Sequence, residues 1–157
     1  MNELELKHLA PYLPYGLSFS VNLNDVRDNF PDELRTLKLA ETNIDLALKI
    51  GKPILRPLSS ITIEEAYELG VIITSEADME DIEVGVGGID VFGEYYTVVR
   101  YQDKVDEEYS FMIQFSPIGV VGIDLIPYKA YEWLFKNHFD VFGLIEKGLA
   151  IEKTTFK

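Results

Sequence analysis

The sequence predicts an α+β fold: one globular domain over residues 1–157, in which an antiparallel β meander packs with N-terminal, middle and C-terminal helices. Apolar residues recur with period two over 17–23, 82–86 and 109–115, as half-buried strands require. They recur at helical spacing over 128–138. Between these stretches there is no regular strand–helix alternation of the kind that builds a parallel sheet. A chain of this length buries about two thirds of the surface its unfolded form exposes. Its 47% hydrophobic content is that of a packed globule rather than a disordered tail.

Glu3 to Leu9 reads as a short helix carrying Leu4, Leu6 and Leu9, stopped by Pro11 and Pro14, with Gly16 permitting a turn. Leu17 to Leu23 alternates as a strand with Leu17, Phe19, Val21 and Leu23 inward. Residues 32–50 have two readings. One is a single helix interrupted near Glu41 to Asn43. The other, which we favour, is a strand over Leu34 to Ala40 and then a helix capped by Thr42 or Asn43 and ended at Gly51. Lys52 to Ser59 is expected to be irregular, since Pro53 and Pro57 oppose both helix and central strand. Thr62 and Glu65 have capping-box spacing, so a helix opens there and runs to about Gly70.

Ile82, Val84 and Val86 predict a strand, Gly87-Gly88 a two-residue hairpin turn, and Ile89 to Tyr101 a return strand bulged at Gly93. Tyr109, Phe111, Ile113 and Phe115 mark the next strand, and Val120 to Ile126 a last one. Pro127 suits a first helical position. Tyr128, Tyr131, Leu134, Phe135 and His138, widened by Ala130 and Trp133, form the apolar stripe of a helix ended by Asn137. Trp133 and Phe135 are therefore expected in the core. Asp140 caps a second, shorter helix through Lys147 that Gly148 stops.

The formal charge is −13, and its placement is uneven. Eleven acids face only Arg100 and Lys104 between Glu76 and Glu108, so that fifth of the chain carries −9, while the remaining sixteen acids and twelve bases nearly balance. Such a field repels phosphates, so direct nucleic-acid binding is not expected. No apolar run reaches the roughly 20 residues that span a bilayer, so no membrane partner is expected. The start, Met-Asn-Glu-Leu-Glu-Leu-Lys, lacks the basic and apolar regions of a signal peptide, and a cytoplasmic location is the expectation. The absence of cysteine excludes disulfides, thiolate zinc sites and cysteine nucleophiles.

Candidate chemistry is sparse. Glu76-Ala-Asp-Met-Glu-Asp-Ile-Glu offers carboxylates to a hard cation, but it has neither the central glycine nor the closing glutamate of an EF-hand loop. No metal site and no cofactor are predicted. Gly85-Val-Gly-Gly-Ile-Asp has Asp90 where a dinucleotide fingerprint needs its third glycine. His8 and His138 sit among apolar residues without a carboxylate or histidine at ligand spacing, which favours a structural ring hydrogen bond over catalysis. The serines match no nucleophile elbow. The candidate interaction residues are Asp78, Glu80, Asp81 and Glu83, as part of an acidic binding face or a merely solubilising one, and Arg56. Arg56 can clamp a partner's carboxylate or pin its own loop by an internal salt bridge. The aromatic cluster Trp133, Phe135, Phe139 and Phe142 suits a core, with partial exposure in an interface as the alternative.

Three stretches carry a family resemblance: Leu6-Lys-His-Leu-Ala-Pro-Tyr-Leu-Pro-Tyr-Gly-Leu17, Lys52-Pro-Ile-Leu-Arg-Pro-Leu-Ser59 and His138-Phe-Asp-Val-Phe-Gly-Leu-Ile-Glu-Lys-Gly-Leu-Ala-Ile151. In these, about a fifth of the chain, it resembles small uncharacterised proteins encoded in bacteriophage and prophage-like regions of anaerobic gut bacteria. Members often have an acid after Leu-Ser near position 60 and Asp near 152; Ser60 and Glu152 depart from that pattern. The resemblance implies a mobile-element origin and action inside a host cell, and it brings no catalytic residues. The expected function is that of a non-enzymatic accessory protein binding another protein through its acidic face, in one version as a nucleic-acid mimic. A carboxylate- or metal-dependent hydrolase using the 76–108 acids is the alternative from a different class.

Overall fold

The computed structural model describes residues 3–22, 34–74, 81–89, 95–102, 109–116, 119–121 and 127–153. The chain is α+β, with two four-stranded sheets and four helices among these residues. Helix α1 (Leu6–Leu9) passes into a 3₁₀ helix, Ala10–Tyr15, that runs through both prolines instead of stopping at them. Pro11 stands in its first turn, where an N–H has no helical partner. The segment ends at Gly16, whose φ of 63° is left-handed. Leu9 is fully buried, but Leu6 is 53% exposed and lies off the expected apolar stripe.

Strand β1 (Ser18–Asn22) buries Phe19 and Val21 as predicted, with Leu17 buried just before it, but Ser20 between them is buried too (8% exposed), so the strand is covered on both faces and not half-buried; Leu23 lies outside the described residues. The favoured reading of residues 32–50 holds: strand β2 (Leu34–Lys38), a 3₁₀ turn over Glu41–Asn43, then helix α2 (Ile44–Ile50) ending at Gly51. Asn43 does not cap that helix through its side chain. Its Oδ1 accepts from the Ala40 N–H at 2.8 Å and its Nδ2 donates to the Lys38 carbonyl at 2.9 Å.

The expectation of irregular chain at Lys52–Ser59 is corrected. Lys52–Leu55 is strand β3, and it is central, in the order β2-β1-β3-β8 with β8 being Ile151–Glu152. The prolines are tolerated because the two edges of β3 are used in succession. Lys52 and Pro53 register with Ser20 and Phe19 of β1, and Ile54 and Leu55 then register in parallel with Ile151 and Glu152. Pro53 thus owes β8 no N–H. Helix α3 (Ile63–Thr74) opens on the predicted capping box, with the Glu65 N–H donating to Thr62 Oγ1 at 3.2 Å and the Thr62 N–H to Glu65 Oε2 at 3.0 Å. It runs four residues past Gly70, which sits buried inside it.

The second sheet is the predicted meander: β4 (Asp81–Ile89), β5 (Tyr95–Gln102), β6 (Tyr109–Ser116) and β7 (Gly119–Val121), each antiparallel to the next. Gly87-Gly88 is not its first turn. β4 continues through both glycines to Ile89, and the register slips between Val86 and Ile89, so the pair forms a bulge. The return strand therefore begins at Tyr95, not Ile89. The expected Gly93 bulge and the chain beyond Val121 to Ile126 lie outside the described residues.

Helix α4 (Tyr128–Lys136) follows Pro127, which is its extended N-cap rather than its first turn (φ −58°, ψ 146°). Tyr128, in the opening turn, is consequently 75% exposed and not part of the stripe. Ala130, Trp133 and Leu134 are buried. Phe135 is half-buried and packs on both of the molecule's hydrophobic clusters. One cluster lies between α3 and α4 (Leu58, Ile61, Leu69, Trp133, Leu134, Phe139); the other lies against the first sheet (Leu9, Tyr12, Leu17, Phe19, Leu55, Leu144).

Candidate functional site

The three stretches that carry the resemblance converge on Phe139. His138, the residue before it, is not on the helical stripe but just past the helix, at φ 59°. The Phe139 N–H donates to the Leu134 carbonyl and the His138 N–H to the Phe135 carbonyl, both at 3.0 Å, which is the Schellman arrangement with histidine in the position glycine usually fills. His138 is held there by its own bonds. Its Nε2–H donates to the Tyr15 carbonyl at 3.0 Å, and its carbonyl accepts the Arg56 N–H at 2.8 Å. The Asp140 N–H returns a bond to the Arg56 carbonyl at 2.8 Å, so Arg56 and Phe139 form a parallel bridge that prolongs β3. From the first stretch, the fully buried Tyr12 donates its hydroxyl to the Phe139 carbonyl at 2.6 Å, and burial pushes its phenol pKa far above the usual value.

Arg56 is occupied within this node. Its Nη1 and Nη2 meet Glu65 Oε1 and Oε2 at 2.6 and 2.8 Å, Nη2 also donates to the Ser60 carbonyl at 3.2 Å, and the guanidinium lies 4.3 Å over the Phe139 ring. This geometry is that of the internal salt bridge, not of a clamp for a partner. The Arg56 hydrogen bonds hold the Glu65 carboxyl below the usual carboxylate range, against a smaller opposing effect of burial. The two side chains are 21% and 23% exposed, between the surface and buried regimes. A double-mutant cycle of Arg56→Ala and Glu65→Ala is therefore expected to give a coupling of about 1–2 kcal/mol in urea unfolding at pH 7. A coupling indistinguishable from zero would show the pair to be structurally incidental.

The expected second helix does not form. Gly143, at φ 63°, redirects the chain after Phe142, and residues 141–148 are a run of turns. The predicted cap and stop are nevertheless both present. Asp140 Oδ1 and Oδ2 accept from the Leu144 and Ile145 N–H groups at 2.8 and 2.7 Å. At the other end Gly148, at φ 69°, donates to the Ile145 carbonyl while the Leu149 N–H reaches the Leu144 carbonyl. Asp140 is 5% exposed, and burial raises its carboxyl above the usual range despite these backbone donors.

Of the acidic candidates, Asp78 and Glu80 lie outside the described residues, and Asp81 and Glu83 open β4. They stand two residues apart on that strand. Asp81 registers with Gln102 and Glu83 with Arg100, while the alternate row sets Ile82, Tyr101 and Phe111 side by side, and then Val84, Val99 and Ile113.

His8 is half-buried on α1, its Nδ1 accepting the Glu5 N–H at 3.0 Å and its ring 5.5 Å from that of Phe142. Burial lowers the pKa of both histidines. Among the described residues every buried side-chain polar atom has a partner, and no three His, Asp or Glu residues are gathered to hold a metal. No helix among them is long and apolar enough to cross a membrane. The buried node therefore ties the three stretches together. Sequence reasoning missed Tyr12, since its partner is 127 residues away. It also missed a groove of about 470 Å³ beside Trp133, whose lining comes from three separate segments. No protein-family model, curated protein or solved structure matches the chain.

Proposed function

We propose that the protein is a non-enzymatic interaction protein of the phage accessory kind that its frame resembles, acting in the host cytoplasm and binding a basic protein through the acidic stretch carried on its meander. The observation that carries the reading is the concentration of −9 between Glu76 and Glu108 on a chain otherwise near balance. The i, i+2 spacing of Asp81 and Glu83 on β4 supports it, since alternate positions of a strand share a face. The saturated Arg56–Phe139–Tyr12 node supports it from the other side, as a rigid frame with its polar groups already spent. In the finer version the carboxylate row imitates phosphates and occupies a protein that otherwise holds DNA.

The test is affinity capture from infected host cells with the native protein and with a variant carrying Asp78→Asn, Glu80→Gln, Asp81→Asn and Glu83→Gln. The native protein is expected to retain a basic partner whose binding falls steeply with salt. The variant is expected to lose it while keeping its far-UV circular dichroism. Release of the captured partner by duplex DNA is the expected mark of the mimic. Equal capture by the folded variant overturns the acidic-face reading.

A further inference from the structure

The groove beside Trp133 has the opposite character to the acidic stretch. Its floor is Tyr15, Ile72 and the edge of Trp133, and its rim is Lys129, Glu132 and Lys136. Lys129, Trp133 and Lys136 follow one another at i, i+4 and i+7 on α4, so one helix face sets a cation on either side of the indole. Those cations stand roughly 10 Å apart along the axis, at about 1.5 Å rise per residue. Both lysines are exposed, and neither is ion-paired among the described residues. Glu132 leaves the rim one net positive charge.

The floor is held in place before anything binds. The Trp133 indole donates to Glu68 Oε2 at 3.2 Å and stacks on Phe139 with centroids 5.8 Å apart and planes at 21°. The backbone of Tyr15 is tied to His138 through its carbonyl. A volume of about 470 Å³ is within the range of small-molecule sites, and so is an apolar floor with a few placed charges.

From this combination we infer that the groove is a binding site for a small amphipathic anion, with a planar or branched apolar body and a carboxylate, sulfonate or phosphate head. The body lies against Trp133, Ile72 and Tyr15, and the head is taken by Lys129 or Lys136. This inference and the acidic-face reading rest on different residues, and either can fail without the other.

The probe that tests it is 8-anilinonaphthalene-1-sulfonate, titrated into the native protein and followed by its own emission. Saturable one-to-one binding that weakens with salt is expected. A partly exposed ion pair changes an equilibrium constant by a few-fold, so Lys129→Ala with Lys136→Ala is expected to lower affinity about three- to tenfold. The same pair of changes is expected to leave binding of the uncharged N-phenyl-1-naphthylamine unaltered. Both lysines are exposed, so the variant retains its fold, which circular dichroism checks. The control is Lys49→Ala with Lys52→Ala, in a groove of about 500 Å³ whose apolar lining is aliphatic; it is expected to change nothing. Competition by free naphthoate assigns the site to small anions. Displacement only by an acidic peptide with an aromatic anchor overturns the small-molecule reading in favour of peptide docking. Unchanged affinity in the Lys129/Lys136 variant, or loss in the control instead, overturns the site altogether.

Discussion

Trp133→Ala is expected to lower the unfolding free energy by about 3–5 kcal/mol, the usual cost of truncating a large buried aromatic. Trp133 is 9% exposed and lies in the cluster that joins α3 to α4. Three separate losses combine. The indole's buried area returns to water or leaves a cavity, the stacked pair with Phe139 is gone, and Glu68 on α3 loses the Nε1–H that bonds it to α4. Phe139 in turn underlies the Arg56 guanidinium, so its loosening reaches the salt bridge. Trp133 is the sole tryptophan, so the urea midpoint has to be followed by circular dichroism rather than fluorescence. Tyr128→Ala, on the same helix but 75% exposed, is the control and is expected to stay within about 0.5 kcal/mol of the parent. A Trp133→Ala midpoint equal to that of the Tyr128→Ala control removes Trp133 from the core.

Where the chain's own neighbours decide a conformation, the sequence is readable, and where distant segments decide it, it is not. The alternation Leu17-Ser-Phe-Ser-Val shows a strand because each side chain's face is fixed by its position alone. Thr62 and Glu65 announce a helix start because both partners of the reciprocal cap lie within three residues. Pro53 misled, since whether a proline breaks a sheet depends on which edge of which neighbour it faces, and its β1 partner Phe19 is 34 residues away, with β8 farther still. Gly87-Gly88 likewise serves a turn or a bulge, and only the pairing of β4 with Tyr95 and Thr97 chooses between them. His138 is the sharpest case. A histidine at left-handed φ is costly, and it is stable here through bonds to Tyr15 and Arg56 that no local pattern reveals. Arg56 was legible as a candidate because it is a cation between prolines. Its partner Glu65 is only nine residues on, but already committed to a helix cap, and the double use of that carboxylate was not visible. The acidic fifth of the chain was counted directly from the sequence, and the structure adds that Asp81 and Glu83 open one strand, β4.

Asp140→Ala is expected to cost about 2–4 kcal/mol, because two inward N–H groups, those of Leu144 and Ile145, lose their acceptor at once. The turn they belong to positions Leu149 and Ala150 and leads directly into β8, so the loss spreads to the sheet edge. Asp140→Asn keeps one acceptor oxygen and is expected to cost about half as much. Its pH dependence separates the carboxylate's charge from its shape. Burial raises the Asp140 carboxyl above its ordinary 3.8 in the folded state, so the folded protein binds this proton more tightly than the unfolded chain. The group's contribution is then fully present below 3.8 and declines as pH rises through the folded value. Glu65 is the reverse, since its folded value is lowered from 4.5 and its contribution is present above 4.5 and lost as pH falls. The cost of Asp140→Asn should therefore be larger at pH 3 than at pH 7, and the cost of Arg56→Ala larger at pH 7 than at pH 3. Urea unfolding of both variants and the parent across that range reads the two slopes. If the Asp140→Asn cost instead grows with pH, the backbone N–H groups outweigh desolvation, and Asp140 is a stabilising anion rather than a tolerated one.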